Sequence, residues 1–289
     1  MVIVIVAAIA LAAFYFAAPD KFRATFPFFF DEGTPSGNDT PPLARGDGEL
    51  QVHFIDVGQG DCILILFPDG KDMLSDCGTT KGGDLDETLA YISAYVPDKQ
   101  LDYLMLTHSD DDHVGYINEI IYEYDVENIF MPDILAMPSG RAASAELQAQ
   151  IEKLDKAKLA MFDDEDGIDT NAYAEFFIAA LSEPDCNIYI NVDSDENTNS
   201  VVITDNGLQE PTNPDTDATY RLTFYCPTQE YYDSSDLSSA EEKNAISPIG
   251  ILEYNDFRLV LTGDSNEINE PIIAERIGKS DCDVLKVAH

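Results

Sequence analysis

The chain has 289 residues, 45% of them hydrophobic, enough to bury a sizeable core. Sixteen Lys and Arg face 55 Asp and Glu, a formal charge of −39. Such a field repels phosphates at long range, so it excludes tight, extended nucleic-acid binding unless metals and a local basic patch compensate. It reads as a solubilising acidic surface. The five Cys (62, 77, 186, 226, 282) show no C-x-x-C spacing, which excludes a zinc ribbon or a thioredoxin motif. An odd number also excludes a complete disulfide framework within one chain. Cys62 and Cys77 sit in or beside apolar strands and read as core packing.

Met1–Ala18 is uninterruptedly apolar and spans about 27 Å as a helix, enough to cross hydrocarbon. Residues 1–20 therefore read as a transmembrane anchor or a signal segment. No Lys or Arg precedes them, and Lys21 and Arg23 follow, so orientation is open. Residues 21–48 include a tract rich in Gly, Pro, Asp, Ser and Thr and read as a flexible linker. A globular domain is expected from Glu49. Leu50–Asp56, Cys62–Phe67 and Lys71–Asp76 read as a meander of strands, turned at Gly58–Gly60 and Pro68–Gly70, with a helix over Asp86–Tyr95. His53 lies in the first strand and is expected to pack. The Gly58-Gln59-Gly60 turn either faces a ligand with its N–H groups or is a plain hairpin turn. Further on, Ile129–Met131 reads as a strand and Ala142–Leu159 as helical.

Residues 163–217 carry fifteen acids and no Lys or Arg. They read as an acidic insertion or outer hairpin, with β-like runs at 187–192 and 200–204. Asp193–Asn199 has Ca-like oxygen spacing, but without the Gly and the bidentate Glu of a Ca loop it reads as a solvated turn. Strands are then expected at Arg221–Cys226, Ala245–Tyr254, Phe257–Thr262 and Val284–Ala288.

The chemistry concentrates where the apolar run Leu101–Leu106 ends. Within six residues come His108, Asp110, Asp111, Asp112 and His113. Asp alone would suit a helix cap. Two His bracketing three Asp point instead to a metal, and imidazole with carboxylate suits Zn, Mn or Fe.

His108-Ser-Asp110-Asp-Asp112-His113 resembles the H-x-[HD]-x-D-H signature of metallo-β-lactamase-fold hydrolases. Asp at its second ligand position resembles the branch containing the extracellular domain of ComEC-type competence (DNA-uptake) proteins. Phe54–Asp61, Leu74-Ser-Asp76-Cys-Gly78, Asn244-Ala-Ile-Ser247, Leu261-Thr-Gly263-Asp264 and Asp283–His289 match further pieces of that branch in order. The resemblance covers about residues 49–289. Tyr116 departs from it where a second Gly is usual. The chain stops at His289 inside the last motif, so the domain is expected to be C-terminally truncated.

The resemblance implies an α/β fold, a four-layer αββα sandwich preceded by the apolar N-terminal helix. It implies two divalent metal ions, Zn or Mn, with His108 and Asp110 on one, Asp112 and His113 on the other, Asp264 bridging and His289 completing a site. Asp112 and Asp264 are the expected catalytic carboxylates, while Asp61, Asp76 and Asn244 orient ligands or substrate. A hydroxide held between two metals attacks phosphorus, so the expected activity is that of a phosphodiesterase or nuclease on a small phosphodiester, a nucleotide or DNA. Hydrolysis of a lactam, lactone or thioester is the alternative enzyme, and a membrane-tethered, non-catalytic binding module the alternative without catalysis. The domain is expected outside the cytoplasm, membrane-anchored or secreted, with no obligate protein partner.

Overall fold

The computed structural model describes residues 48–289 apart from 138–143, 163–166, 192–200, 211–216, 228, 236, 279–280 and 289. The apolar segment 1–18, nearly all of the linker and His289 lie outside the described residues. Among the described residues no helix is long and apolar enough to cross a membrane.

Two six-stranded sheets form the frame. The first begins with the expected meander, β1 (Gln51–Phe54), β2 (Cys62–Leu66) and β3 (Asp72–Cys77). Helix α1 (Leu85–Tyr95), capped by the Asp84 side chain, carries the chain to β4 (Gln100–Met105). Two short helices, α2 (Asp111–Val114) and α3 (Ile117–Glu123), separated at Gly115 and Tyr116, lead to β5 (Asp125–Met131). The expected Ala142–Leu159 helix is two pieces, α4 (Ser144–Ile151) and α5 (Lys156–Leu159), flanked by the small pair β6 (Leu135–Ala136) and β7 (Gly167–Ile168). Helix α6 (Asn171–Ser182) and β8 (Asn187–Ile190) complete this half in the order β1-β2-β3-β4-β5-β8.

The second sheet is built from β9 (Val202–Thr204), β10 (Gly207–Gln209), β11 (Tyr220–Tyr225), β12 (Ile249–Tyr254), β13 (Phe257–Leu261) and β14 (Val284–Lys286). Its order is β10-β9-β11-β12-β13-β14. Helices α7 (Gln229–Ser234) and α8 (Ala240–Asn244) precede β12, and α9 (Glu270–Ile277) precedes β14.

The central strands read as continuous apolar runs because both of their faces are covered. On β2, Cys62, Leu64 and Leu66 join the core beneath the helices. Ile63, Ile65 and the following Phe67 turn the other way, against Ile203, Tyr220, Leu222 and Phe224 of the second sheet. Phe67 stacks on Tyr220 with ring centroids 4.5 Å apart. On β11, buried and half-buried residues alternate, so the second sheet keeps one apolar inner face. On its outer face Ala274 and Ile277 of α9 line a cleft with Ile249, Ile251 and Val260. The layers are therefore helices, sheet, sheet and helix.

The acidic stretch 163–217 is not an outer insertion. Its described part supplies α6, whose Tyr173, Phe176 and Phe177 are fully buried, and strands in both sheets. The Thr170 side chain caps α6 by accepting from Tyr173 N, and the Tyr173 hydroxyl donates to Ile134 O at 2.7 Å.

One end of the sandwich gathers the chemistry. β3 and β4 are parallel, so Asp76 and the residues after Met105 emerge at one edge. Antiparallel β2 begins there, just after Asp61. In the second sheet β13 and β14 are parallel, and antiparallel β12 starts near their C-terminal ends, shortly after Ser247.

Candidate metal centre

Asp76 occupies the pivotal backbone position. Cys62 pairs with Cys77 and Ile63 with Ser75, so Asp76 is the extra residue of a β-bulge, at φ 56°. A bulge re-aims the side chain it expels from the ladder. The Asp76 carboxylate, fully buried, accepts from Thr107 N (2.8 Å), Thr107 Oγ1 (2.8 Å) and His113 Nδ1 (2.9 Å).

These bonds fix both imidazoles. Thr107 spends its single hydroxyl proton on Asp76, so its oxygen accepts from His108 Nδ1 at 3.1 Å. The Ser247 hydroxyl stands 3.3 Å from the same Nδ1 and accepts from Asp264 N at 3.2 Å. With its proton on Nδ1, His108 presents the lone pair of Nε2, which is buried and makes no hydrogen bond. On His113, Nδ1 turns to Asp76 and Nε2 lies 3.4 Å from Asp264 Oδ1. Ligand atoms of His108, His113 and Asp264 lie within 4.8 Å of one another, all three residues buried. A bare imidazole nitrogen aimed at a second imidazole and a carboxylate, each steadied from behind, fits a divalent metal.

Electrostatics separate the two His. Burial pushes His108 down to about 3, helped by the neighbouring His113 cation. Burial also lowers His113, but Asp76 and Asp264 outweigh it and hold the imidazole up at about 10. Without metal, His108 is a neutral ligand and His113 a cation clamped between carboxylates.

Backbone fit completes the cradle. Asp61 N donates to Asp112 O (2.9 Å), Gly78 N to Asp61 O (3.1 Å) and Gln59 N to Lys81 O (2.8 Å). The Gly58–Gly60 turn thus braces the His-bearing loop rather than facing a ligand. A Cβ on Gly78 would lie 2.6 Å from Asp111 O, so only glycine lets α2 approach. Gly263 has φ +50°, and a Cβ there would lie 2.9 Å from the Ser247 Cβ and 3.0 Å from the Thr107 Cβ.

Of the six expected metal ligands, the structure brings His108, His113 and Asp264 together. Asp110 and Asp112 are not in that cluster. Asp110 is the N-cap residue of α2, in extended conformation, and its carbonyl accepts from His113 N and Val114 N. Burial pushes its carboxyl up, against the pull of Lys243. Asp112 sits partly exposed on the first turn of α2. Of the residues on that turn, His113 is the one whose ring joins the cluster. Asp61, Asp76 and His113 form a second close group, with Asp76 committed to hydrogen bonds. Asn244 ends α8 with its Oδ1 buried and unbonded, whereas Ser247, three residues on, is the member of that motif that reaches His108. His53 stays remote, with Nδ1 3.0 Å from the Tyr91 hydroxyl.

Three contributors had no assigned role in the sequence reading: Thr107, Ser247 and Lys286. The Lys286 ammonium is nearly buried inside the site. It pairs with Asp61, donates to Gly263 O at 2.8 Å and lies 3.6 Å from Asp264 Oδ1. Its position in the Asp283–His289 motif was the available signal, yet a lone Lys on a strand reads as surface.

Residues 55–178 match the family model described as the metallo-beta-lactamase superfamily. The matched region supplies the His108–His113 loop. Among solved structures the chain is similar to the metallo-beta-lactamase fold protein YhfI from Bacillus subtilis, at 15% identity over 78% of this chain and 62% of that one, with a TM-score of 0.35. It is also similar to CmlA, a diiron beta-hydroxylase from Streptomyces venezuelae (12%, 83% and 34%, TM-score 0.37). A metallo-beta-lactamase from Cronobacter sakazakii carrying a mutated HARLDQ motif gives 13%, 84% and 77%, with a TM-score of 0.35. The chain thus spans less than two thirds of YhfI and about a third of CmlA. No curated protein sequence matches it.

Proposed function

We propose that this domain is a metal-dependent hydrolase of phosphodiesters, with a nucleotide or DNA as the substrate class. The observation that carries the reading is the Lys286 ammonium beside His108, His113 and Asp264, in a chain with only 16 Lys and Arg against 55 acids. A cation held at this point favours an anionic substrate where the rest of the surface repels one.

His108 Nε2, His113 Nε2 and an Asp264 oxygen would hold the metal. When bound, it supplies Lewis acidity and lowers the pKa of water toward neutrality. The chain's own groups do the remaining work. Asp76 and Thr107 keep both imidazoles in their ligating tautomers, and Ser247 anchors the backbone of Asp264. Lys286 is placed to orient a non-bridging phosphate oxygen and to offset charge developing on it. A position outside the cytoplasm, anchored or secreted through residues 1–18, and a ComEC-like role belong to the same reading and rest on the sequence.

The test is turnover of bis-p-nitrophenyl phosphate and of a chromogenic lactam by protein loaded with Mn or Zn, alongside its His113→Ala variant. Metal-dependent diester cleavage that is lost in the variant is expected. Faster lactam cleavage would replace the substrate class, and bound metal without turnover of either would favour the non-catalytic binding module.

A further inference from the structure

Cys62 and Cys77 face each other across the β2–β3 ladder, directly opposite in register, with sulfurs 3.2 Å apart. Both are buried, and the other described cysteines, Cys186, Cys226 and Cys282, are free thiols as well. Each member of the pair directly follows a carboxylate of the site, Asp61 before Cys62 and Asp76 before Cys77. The pair also closes the β-bulge that expels Asp76 from the ladder. The tight turn at Pro68–Lys71, where Phe67 N donates to Lys71 O at 2.8 Å, sets the hairpin register, and the bulge at Asp76 shifts it by one residue so that Cys77 stands opposite Cys62.

We propose that Cys62 and Cys77 are a disulfide site, a covalent staple across the bulge that forms when the chain folds in the presence of a small disulfide oxidant. A disulfide bond needs sulfurs about 2 Å apart and closely facing Cβ atoms. The pair is already opposed, so closure requires roughly one ångström of approach and no change of register. In the chemistry, one cysteine thiolate attacks a sulfur of the oxidant, giving a mixed disulfide and one free small thiol. The second cysteine thiolate attacks the protein-side sulfur and releases the second small thiol. The protein gives up two protons and two electrons, and the oxidant's S–S bond takes up both electrons. Because the folded pair is buried, this exchange belongs to the open hairpin, before the helices and the second sheet cover it.

The staple ties together the two backbone points that carry Asp61 and Asp76. It therefore holds the hydrogen-bond acceptor for His113 in place without adding a group to the cleft. The assignment stands on the hairpin geometry and does not depend on the hydrolase reading.

The experiment refolds the full reduced chain with a glutathione and oxidised glutathione mixture, blocks remaining thiols with N-ethylmaleimide under denaturing conditions, and maps the digest by mass spectrometry. A dominant linked peptide pair joining Cys62 to Cys77, with Cys186, Cys226 and Cys282 alkylated, is the expected result. The melting temperature of the oxidised protein should exceed that of the reduced protein by about 5–10 °C. Cys62→Ala should abolish both the linked pair and the shift. Full alkylation of both cysteines, linkage scattered over other cysteines, or a linked form that melts no higher than the reduced one would overturn the proposal.

Discussion

The two sheets build one site by opposite means. The first contributes a continuous stretch, Thr107 to His113, seated on Gly78 and held from behind by Asp76. The second contributes isolated side chains, Ser247, Asp264 and Lys286, from strand ends far apart in sequence. The first half carries ligands and their orientation in one local motif. The second carries the third ligand and the only Lys paired at the cluster among the described residues. Ligation therefore requires that the sheets dock correctly, whereas the Asp76 and Thr107 bonds that hold the two imidazoles come from the first half.

The sharpest way to break that docking is at the contact between the halves. Gly263→Ala places a Cβ against Ser247 and Thr107 at a backbone angle unfavourable for an L side chain. It should cost about 2–3 kcal/mol, read as a lowered denaturant midpoint. An unchanged midpoint would show that the halves adapt to each other. Asp76→Asn sharpens the comparison from the other side, because it leaves the docking alone and weakens the bonds that hold His113 and Thr107 and, through Thr107, His108. Metal affinity should fall about 10–100-fold with little change in fold, measured by competition with a chromogenic chelator.

A smaller effect separates the two imidazoles. In the metal-free protein His113 is held at about 10, so its pairing with Asp76 and Asp264 stabilises the fold fully below about pH 6.5 and fades as pH rises through 10. Metal must displace that proton, whereas His108, at about 3, has none to lose at neutral pH. Binding at pH 7 should therefore release about one proton from the pair, and apparent affinity should climb roughly tenfold per pH unit toward 9. Calorimetry in buffers of different ionisation enthalpy reads the proton count; zero released would contradict the clamped His113 cation.

The contrast between the halves also marks what was legible in the sequence. The strands of the meander, β4 and its loop stand within about two residues of their expected places, because buried strands write continuous apolar runs and Gly and Pro punctuate them. Helix α6 was hidden by the charge around it. Tyr173, Phe176 and Phe177 face the core while Glu175 between them is exposed, and counting acids over 163–217 obscured that period. At the site, spacing alone could not show that His113 joins His108 and Asp264 while Asp110 and Asp112 stay outside that cluster. Nor could it show that Lys286, paired with Leu261 across β13 and β14, emerges beside Asp264. Those placements arise from sheet pairing, which no local window contains.

The central claim is that side chains from both sheets close on one metal. Metal affinity of Asp264→Ala, measured with Mn and Zn on protein whose fold is verified by circular dichroism, tests it most directly. The account predicts a loss of at least about tenfold, since a carboxylate ligand from the second sheet is removed. Binding as tight as in the unaltered chain would mean that the His108–His113 loop holds the metal without the second sheet.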